Sequence, residues 1–120
     1  MSDFAPAPVK PAVLFATLAA LDIRLGEIVA VEDVANSNKL VRLRVSFGDH
    51  TRTILSGMKK ERENLAALVG IRTLFVINLE PKKMAGEVSE GMLLDLGFSD
   101  GLQPALLLPE RTMPGGTRAG

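Results

Sequence analysis

The stretch Asn78–Leu96, NLEPKKMAGEVSEGMLLDL, governs how the rest of the chain is interpreted. A run of apolar residues, Leu74 to Asn78, ends before Pro81. Two lysines, a methionine, two glycines and a Ser-Glu-Gly-Met turn follow it, and apolar character resumes at Leu93-Leu94. Because proline and glycine interrupt regular structure, this pattern predicts a strand, a basic loop over Glu80–Val88 and a second strand.

The segments upstream predict four strands and one short helix. The clearest strand is Leu40 to Phe47, where apolar residues alternate with Arg42, Arg44 and Ser46. An alternation of period two is typical of a half-buried strand, so both arginines are expected on its outward face. The remaining predicted elements are strands at Asp22–Val34, with a bulge at Gly26, at Thr51–Met58 and at Arg72–Leu79, and a helix at Glu61–Val69.

The stretch after Ser89 completes the predicted order. A fifth strand is expected over Ser89–Leu96, then a turn, a sixth short strand at Ala105–Leu108 and a Pro-Gly tail. Three strands, a helix and two more strands are the order of a five-stranded Greek-key barrel of the oligonucleotide-binding type. We therefore predict an all-β fold with one short helix, in a single domain over residues 13–120, with a C-terminal extension.

The N-terminal residues fall into two parts. Residues 1–12 contain several prolines and little that could pack, so we expect them to be flexible. Val13 to Leu21 is an apolar run without the basic start or the cleavage site of a signal peptide, and it is too short to span a membrane. We predict one or two helical turns that cover either the barrel of the same chain or a second subunit.

Composition limits the classes of function. The 120 residues contain no cysteine, which excludes disulfides and cysteine metal sites and fits the cytoplasm. Basic and acidic residues balance at 14 each, but between Asn36 and Arg62 seven basic residues face only two acidic ones. A solvated charged face and a nucleic-acid contact both fit that segment.

Residues able to support catalysis are scarce. The one histidine, His50, lies in a predicted hairpin tip, and Glu87 with Glu90 is the only close carboxylate pair in the central stretch. The sequence shows no glycine-rich phosphate loop, metal-ligand cluster or nucleophile elbow. We therefore predict that the protein is not an enzyme and needs no cofactor.

The order Lys-Lys-Met-Ala-Gly…Ser-Glu-Gly-Met, together with Ile54-Leu55-Ser56-Gly57 and the closing Pro114–Thr117, resembles the tRNA-binding domain of bacterial methionyl-tRNA synthetases. That domain also occurs as free-standing tRNA-binding proteins and in endothelial-monocyte-activating polypeptides. The resemblance covers about Asp22 to Gly120. It implies an oligonucleotide-binding barrel that recognises tRNA by shape, and it implies homodimers for free-standing members. We therefore favour a homodimer formed through Val13–Leu21 and part of the C-terminal segment.

Carried over residue by residue, the resemblance implies a first-loop motif at Asn36-Ser37-Asn38-Lys39-Leu40, a Ser-Gly at Ser56-Gly57 and a lysine-methionine segment at Lys82 to Met92. The His-Pro that commonly precedes the first loop is Val34-Ala35 here, and the usual Asp is Asn38, which leaves Lys39 without an acidic neighbour. The predicted RNA-binding residues are Asn36, Asn38, Lys39, Arg42, Ser56, Gly57, Lys59, Lys60, Lys82, Lys83, Met84, Ser89, Glu90 and Met92.

Within that set the expected roles differ. The lysines and Arg42 are candidate phosphate contacts, which carry no sequence information. Met84 and Met92 are candidate soft contacts for bases, although Met92 equally fits a core position. Glu90 is a candidate acceptor for loop amides or a ribose 2′-hydroxyl, and it equally fits a surface glutamate without a partner.

Three functions remain open at this point. The first is a non-catalytic, structure-selective tRNA-binding homodimer. The second is a peptide-binding secretion chaperone of a related branch of the same domain, in which an apolar cavity is expected where this chain offers lysines. The third is a subunit that docks onto an aminoacyl-tRNA synthetase. A membrane partner is not expected.

Overall fold

A computed structural model of the chain describes residues 4–120 and shows a curled antiparallel sheet of five strands. The strands are β1 (Ile23–Asp33), β2 (Val41–Ser46), β3 (Thr51–Ser56), β4 (Arg72–Val76), β5 (Lys82–Met84), β6 (Glu87–Ser89), β7 (Met92–Leu93), β8 (Asp95–Leu96) and β9 (Ala105–Leu106). The main sheet has the order β3-β2-β1-β4-β7. The fold class is confirmed: mostly β with one short helix, in a half-barrel consistent with an oligonucleotide-binding-like barrel.

The core lies inside the curl of this sheet. In β2 and just after it, Val41, Leu43, Val45 and Phe47 are buried, whereas Arg44 is exposed, as the alternation predicts. Phe75 from β4 is fully buried, and its ring meets that of Phe47 edge to face at 5.7 Å between centroids. One continuous apolar core therefore fixes which face of β2 and β3 is turned outward.

The bulge predicted at Gly26 is wrong. The register between β1 and β2 shifts between Ile28 and Ala30, so Val29 is the extra residue. Gly26 has a different role, since a Cβ there would lie 2.5 Å from Cγ1 of Val45 and 2.7 Å from Cε1 of Phe47. The missing side chain lets β1 pass close to these core residues.

The helix predicted over Glu61–Val69 shrinks to one 3-10 turn, Leu65–Leu68. Asn64 makes no side-chain capping bond, and the chain is already extended at Val69. The next residues are tied to β1, because Gly70 N donates to Ile28 O at 2.7 Å and Ile28 N donates to Ile71 O at 2.9 Å. These bonds to β1 hold the chain before a second turn can form.

The central stretch contains a hairpin where a loop was expected. β5 pairs with β6 in antiparallel register, and the turn residues Ala85 and Gly86 both have positive φ, 50° and 83°. Positive φ at both central positions is the type I′ geometry that matches the twist of two-residue hairpins. The loop predicted over Glu80–Val88 is thus replaced by two short paired strands.

The predicted fifth and sixth strands are both shorter than expected. The stretch Ser89–Leu96 is divided: β7 pairs with β4, and β8 leaves the main sheet to pair with β9. Ala105–Leu108 contributes only its first two residues to β9. The tail then runs along β1, where Leu25 N donates to Thr117 O and Ala119 N donates to Ile23 O, both at 2.8 Å.

The N-terminal segment contains the predicted helix, α1 (Phe15–Ala19), and none of its residues is buried. Asn78 ties its end to the barrel by donating to Ala20 O at 2.8 Å and accepting from Asp22 N at 2.7 Å. Of the alternatives for the apolar run, a cover for its own barrel is therefore wrong. Residues 4–12 are exposed, and the part of the flexibility prediction that concerns residues 1–3 lies outside the described residues.

Candidate nucleic-acid interface

The outward face of β2 carries two arginines in different surroundings. Arg42 donates from Nε and Nη2 to the two carboxylate oxygens of Glu87 at 2.7 and 2.6 Å, and from Nη1 to Glu32 at 3.4 Å. Arg44 is exposed, and within residues 4–120 it forms no ion pair. Arg42 therefore fastens the hairpin to the sheet, whereas Arg44 presents a free charge.

This two-pronged contact changes how both groups titrate. The hydrogen bonds from Arg42 lower the pKa of Glu87 below its ordinary value of 4.5, and the bonds to Glu87 raise the pKa of Arg42. The two side chains are 27% and 29% exposed, so water still screens the pair in part. Glu87 remains ionised at neutral pH, and it offsets the charge with which Arg42 could contact phosphate.

The two lysines of the hairpin project to opposite sides of it. Lys82 pairs with Ser89 and Lys83 with Val88, and paired residues of an antiparallel ribbon share a face. Ser89 is buried against the barrel, whereas Val88 is 50% exposed to solvent. Lys82 therefore lies on the barrel side with Met84, and Lys83 lies on the far side.

Ser89 and Glu90 link the hairpin to the free edge of β3. The buried Ser89 hydroxyl accepts from Leu55 N at 3.0 Å and donates to Gly91 O at 2.9 Å. Glu90 Oε1 accepts from Thr53 N at 2.9 Å, while Glu90 N donates to Thr53 O at 2.8 Å. Glu90 thus accepts a hydrogen bond from a backbone amide of β3, and not from an amide of its own loop.

The first loop collects the remaining lysines. Lys59 Nζ donates to the carbonyl oxygens of Val34 and Ser37 and pairs with Asp33 at 2.6 Å, so it fixes the shape of the loop. Its hydrogen bond lowers the pKa of Asp33. Lys39 O accepts from Lys59 N at 3.0 Å, which brings the segment containing Lys60 beside the loop.

Several other residues of this loop region keep their polar groups free to contact a ligand. Lys39 and Lys60 are exposed, and neither forms an ion pair in the part of the chain that the structure describes. Asn36 and Asn38 are exposed as well. Four of the predicted binding residues thus present free polar groups at one end of the β2–β3 face.

Four other predicted residues meet at a cavity of about 270 Å³. Ser56, Gly57, Met84 and Met92 line it, and Met92 is 47% exposed, which rules out a core position for that residue. The rest of the lining comes from the segment after β3, from β7 to β9 and from the turn at Phe98. We call this space the Arg62 cavity, because Arg62 supplies its only cationic side chain.

Three residues of the Arg62 cavity, Glu61, Arg62 and Asp95, are absent from the predicted binding residues. In the sequence, Arg62 is only one of the seven basic residues of its segment, and Glu61 begins the predicted helix. Burial raises the pKa of the Glu61 carboxyl above its ordinary 4.5, the charge of Asp95 adds to the rise and Arg62 opposes it. No local signal could identify these residues, since the walls come from several separate segments of the chain.

The residues considered for catalysis have structural partners. His50 accepts from Arg52 Nε at 2.9 Å through Nε2, lies 2.7 Å from Asp49 through Nδ1 and stacks on Phe47. Among residues 4–120, no group of three or more His, Cys, Asp or Glu side chains is placed to hold a metal ion. No helix in that range is both long and apolar enough to cross a membrane.

Sequence comparison matches residues 23–118 to the family described as "Putative tRNA binding domain". The methionine–tRNA ligase of Chlorobium chlorochromatii is 42% identical over 92 residues, which are 77% of this chain and 13% of that protein. The enzyme of Thermococcus kodakarensis is 39% identical over 106 residues, 88% of this chain and 14% of that protein. The chain thus spans about a seventh of the length of these curated relatives.

Structure comparison gives two kinds of neighbour. A protein from Pyrococcus horikoshii described as related to methionyl-tRNA synthetase superposes with a TM-score of 0.83 at 29% identity, covering 92% of this chain and all of that one. The chaperone CsaA of Bacillus anthracis superposes with a TM-score of 0.78 at 27% identity and the same coverage.

Proposed function

The chain belongs to the tRNA-binding domain family, and from this we propose that it is a non-catalytic, structure-selective tRNA-binding protein of the cytoplasm. It acts as a homodimer, free-standing or associated with a methionyl-tRNA synthetase. The relatives' own activity as ligases resides in proteins of which this chain spans a small part. The role that we propose for these 120 residues is to hold RNA.

The observation that carries the proposal is the distribution of free cations around the β2–β3 face. Lys39 and Lys60 lie at one end, Arg44 on the face and Lys82 on the barrel side of the hairpin, all without ion pairs within residues 4–120. Each can contact a phosphate and release counterions. A set of separated cations follows a backbone, which suits recognition of shape more than recognition of sequence.

The same face offers little for reading bases by stacking. The chain has no Trp or Tyr, and Phe47 and Phe75 are core residues. Stacked RNA helices expose phosphates and 2′-hydroxyls more than distinctive base edges, so a shape-selective protein needs few aromatic platforms.

A filter-binding or gel-shift titration at two salt concentrations tests the proposal. We expect total tRNA to bind more tightly than rRNA fragments or a DNA duplex, and its affinity to fall steeply with salt. Lys60→Ala should weaken tRNA binding, whereas Arg111→Ala, which removes an exposed charge already paired with Glu110, should not. Equal affinity for tRNA and DNA duplex would refute structure selectivity.

A second candidate is the peptide-binding chaperone. The apolar part of the Arg62 cavity favours it, together with the structural likeness to CsaA. A labelled unfolded polypeptide should then bind. Substitutions at Met84 and Met92 should weaken its binding while tRNA binding is retained. Absence of peptide binding in the presence of tight tRNA binding removes this candidate.

A further inference from the structure

The Arg62 cavity combines apolar walls with the side chain of one arginine. Its walls include Met84 and Met92, and Phe98 at its edge is 64% exposed. Arg62 Nε is buried, and within residues 4–120 it has no hydrogen-bond partner. A buried N–H without an acceptor is rare in folded proteins, so this atom calls for an explanation.

The cavity also contains acceptors. Glu61 and Asp95 contribute two carboxyl groups to a lining that is otherwise mostly apolar. Two acids beside one guanidinium disfavour a phosphate or another anion. An apolar peptide side chain would fill the space but would leave the charged groups of Arg62, Glu61 and Asp95 without polar partners.

The volume sets the size of the group that can enter. Pockets for drug-sized molecules are about 300–1,000 Å³, so about 270 Å³ suits one flat ring system and its nearest substituents. Thioether side chains such as Met84 and Met92 make favourable contacts with aromatic rings. A flat ring could pack against the apolar walls. If it carries acceptors on one edge and donors on another, it could also hydrogen-bond to the arginine and to the two carboxylates.

Guanine has that arrangement. Its O6 and N7 accept hydrogen bonds, and arginine is their common partner in nucleic-acid complexes. Its N1–H and N2 amino group donate, and carboxylates accept. Adenine offers no acceptor in place of O6, and uracil lacks a second donor group next to N3.

We propose that the Arg62 cavity receives one unstacked guanine base of the bound RNA, with Arg62 as donor to the base and Glu61 or Asp95 as acceptor. The inference rests on the proposed function, because the β2–β3 cations bring the RNA to the mouth of the cavity. It adds a base-selective contact to an otherwise shape-selective surface. Bases that are unpaired and unstacked are the usual targets of sequence reading in RNA.

The test uses the full chain and synthetic stem–loop RNAs that carry one guanine in a uridine loop. Replacing that guanine by adenine or by an abasic site should weaken binding about tenfold, the scale of one good bidentate contact. Inosine, which lacks the N2 amino group, should bind with intermediate affinity. Equal affinity for guanine and abasic RNAs would overturn the proposal.

Two variants connect the preference to the cavity. Arg62→Met, and Glu61→Gln combined with Asp95→Asn, should each reduce the guanine preference to about twofold or less while tRNA binding keeps its salt dependence, because the two amides accept hydrogen bonds more weakly than the two carboxylates. Lys60→Ala is the matched control, since it should weaken all the RNAs equally and preserve the preference. A preference retained in both cavity variants would place the guanine elsewhere and refute the assignment.

A measurement on the unaltered chain does not depend on the variants folding. Adding guanosine 5′-monophosphate should shift the methyl NMR signals of Met84 and Met92 and leave that of Met113, in the C-terminal segment, unchanged. Adenosine 5′-monophosphate should shift them less, and equal shifts with both nucleotides would refute guanine selectivity.

The outcomes also separate this inference from the proposed function. If tRNA binds with steep salt dependence but no RNA shows a base preference, only the guanine site is refuted. If no RNA binds and an apolar peptide shifts the Met84 and Met92 signals, both proposals fail and the chaperone candidate stands.

Discussion

Ser89 illustrates how one hydroxyl can hold two parts of this fold together. It is 4% exposed and bonds both Leu55 N of β3 and Gly91 O. The resemblance to tRNA-binding domains implied a contact with RNA, but a hydroxyl with both bonds made inside the protein has little capacity left for a ligand. We therefore expect Ser89 to hold β3 and the hairpin together without contacting RNA.

Ser89→Ala should lower the free energy of unfolding by about 1–3 kcal/mol, because a buried amide and a carbonyl lose their partner. Urea unfolding measures this, and Ser99→Ala, at an exposed position, is the control. Under conditions where the variant is folded, its tRNA affinity should match that of the unaltered chain. A variant with unchanged stability and weakened RNA binding would instead support a direct contact between Ser89 and RNA.

Glu87 gives the fold a defined response to acid. Since its pKa is lowered in the folded state, its contribution to stability is complete above pH 4.5 and is lost as the pH falls through the lowered pKa. Glu87→Gln should therefore reduce the urea midpoint at pH 7, and the difference from the unaltered chain should narrow below pH 4.5. Glu63→Gln is an exposed control, and a difference independent of pH would contradict the ion pair as its cause.

Among the elements, the hairpin β5–β6 differs most from the prediction, which placed a loop there. Its two strands are three residues each, and its turn is Ala-Gly, whereas Asn-Gly is the strongest hairpin signal. Local pattern therefore indicated a loop. The hairpin is stabilised by partners far away in the chain, since Arg42 and Glu87 are 45 residues apart.

The two hairpin lysines should differ in RNA binding because they lie on opposite faces. Lys82→Ala should weaken tRNA binding and reduce the slope of log affinity against log salt by roughly one. Lys83→Ala, its matched control, should leave the slope nearly unchanged. Both variants should keep their melting temperature, since exposed lysines contribute little to folding. Equal effects on RNA binding would contradict the assignment of faces.

The elements predicted best were those whose signal is local. The alternation in Leu40–Phe47 gave β2 and its outward face, because period two needs no information from other segments. Gly26 was misassigned, since its close approach to Val45 and Phe47 depends on how β1 crosses the core. The Arg62 cavity was not predicted for the same reason: four separate segments must fold before it exists.

At the level of the whole molecule, the apolar N-terminal segment leaves large hydrophobic side chains exposed to solvent. Phe15 is 81% exposed, Leu18 56% and Leu14 77%. A second apolar cavity, of about 230 Å³, is lined by Leu25, Leu74 and C-terminal residues including Leu107 and Met113. No residue of α1 is buried, so α1 does not fill this cavity within its own chain.

We expect this chain to form a dimer in which α1 and part of the C-terminal segment are buried. Burying one Phe or Leu side chain contributes about 1.5–3 kcal/mol, and several such residues from each copy would offset the free-energy cost of association. Phe15→Asp with Leu18→Asp should give a folded monomer by light scattering, because both positions are exposed in the single chain. Ala16→Asp is the control, since residue 16 projects from the opposite side of a helix from residue 18. An unchanged mass for the double variant, or a monomer for the unaltered chain, would refute this interface.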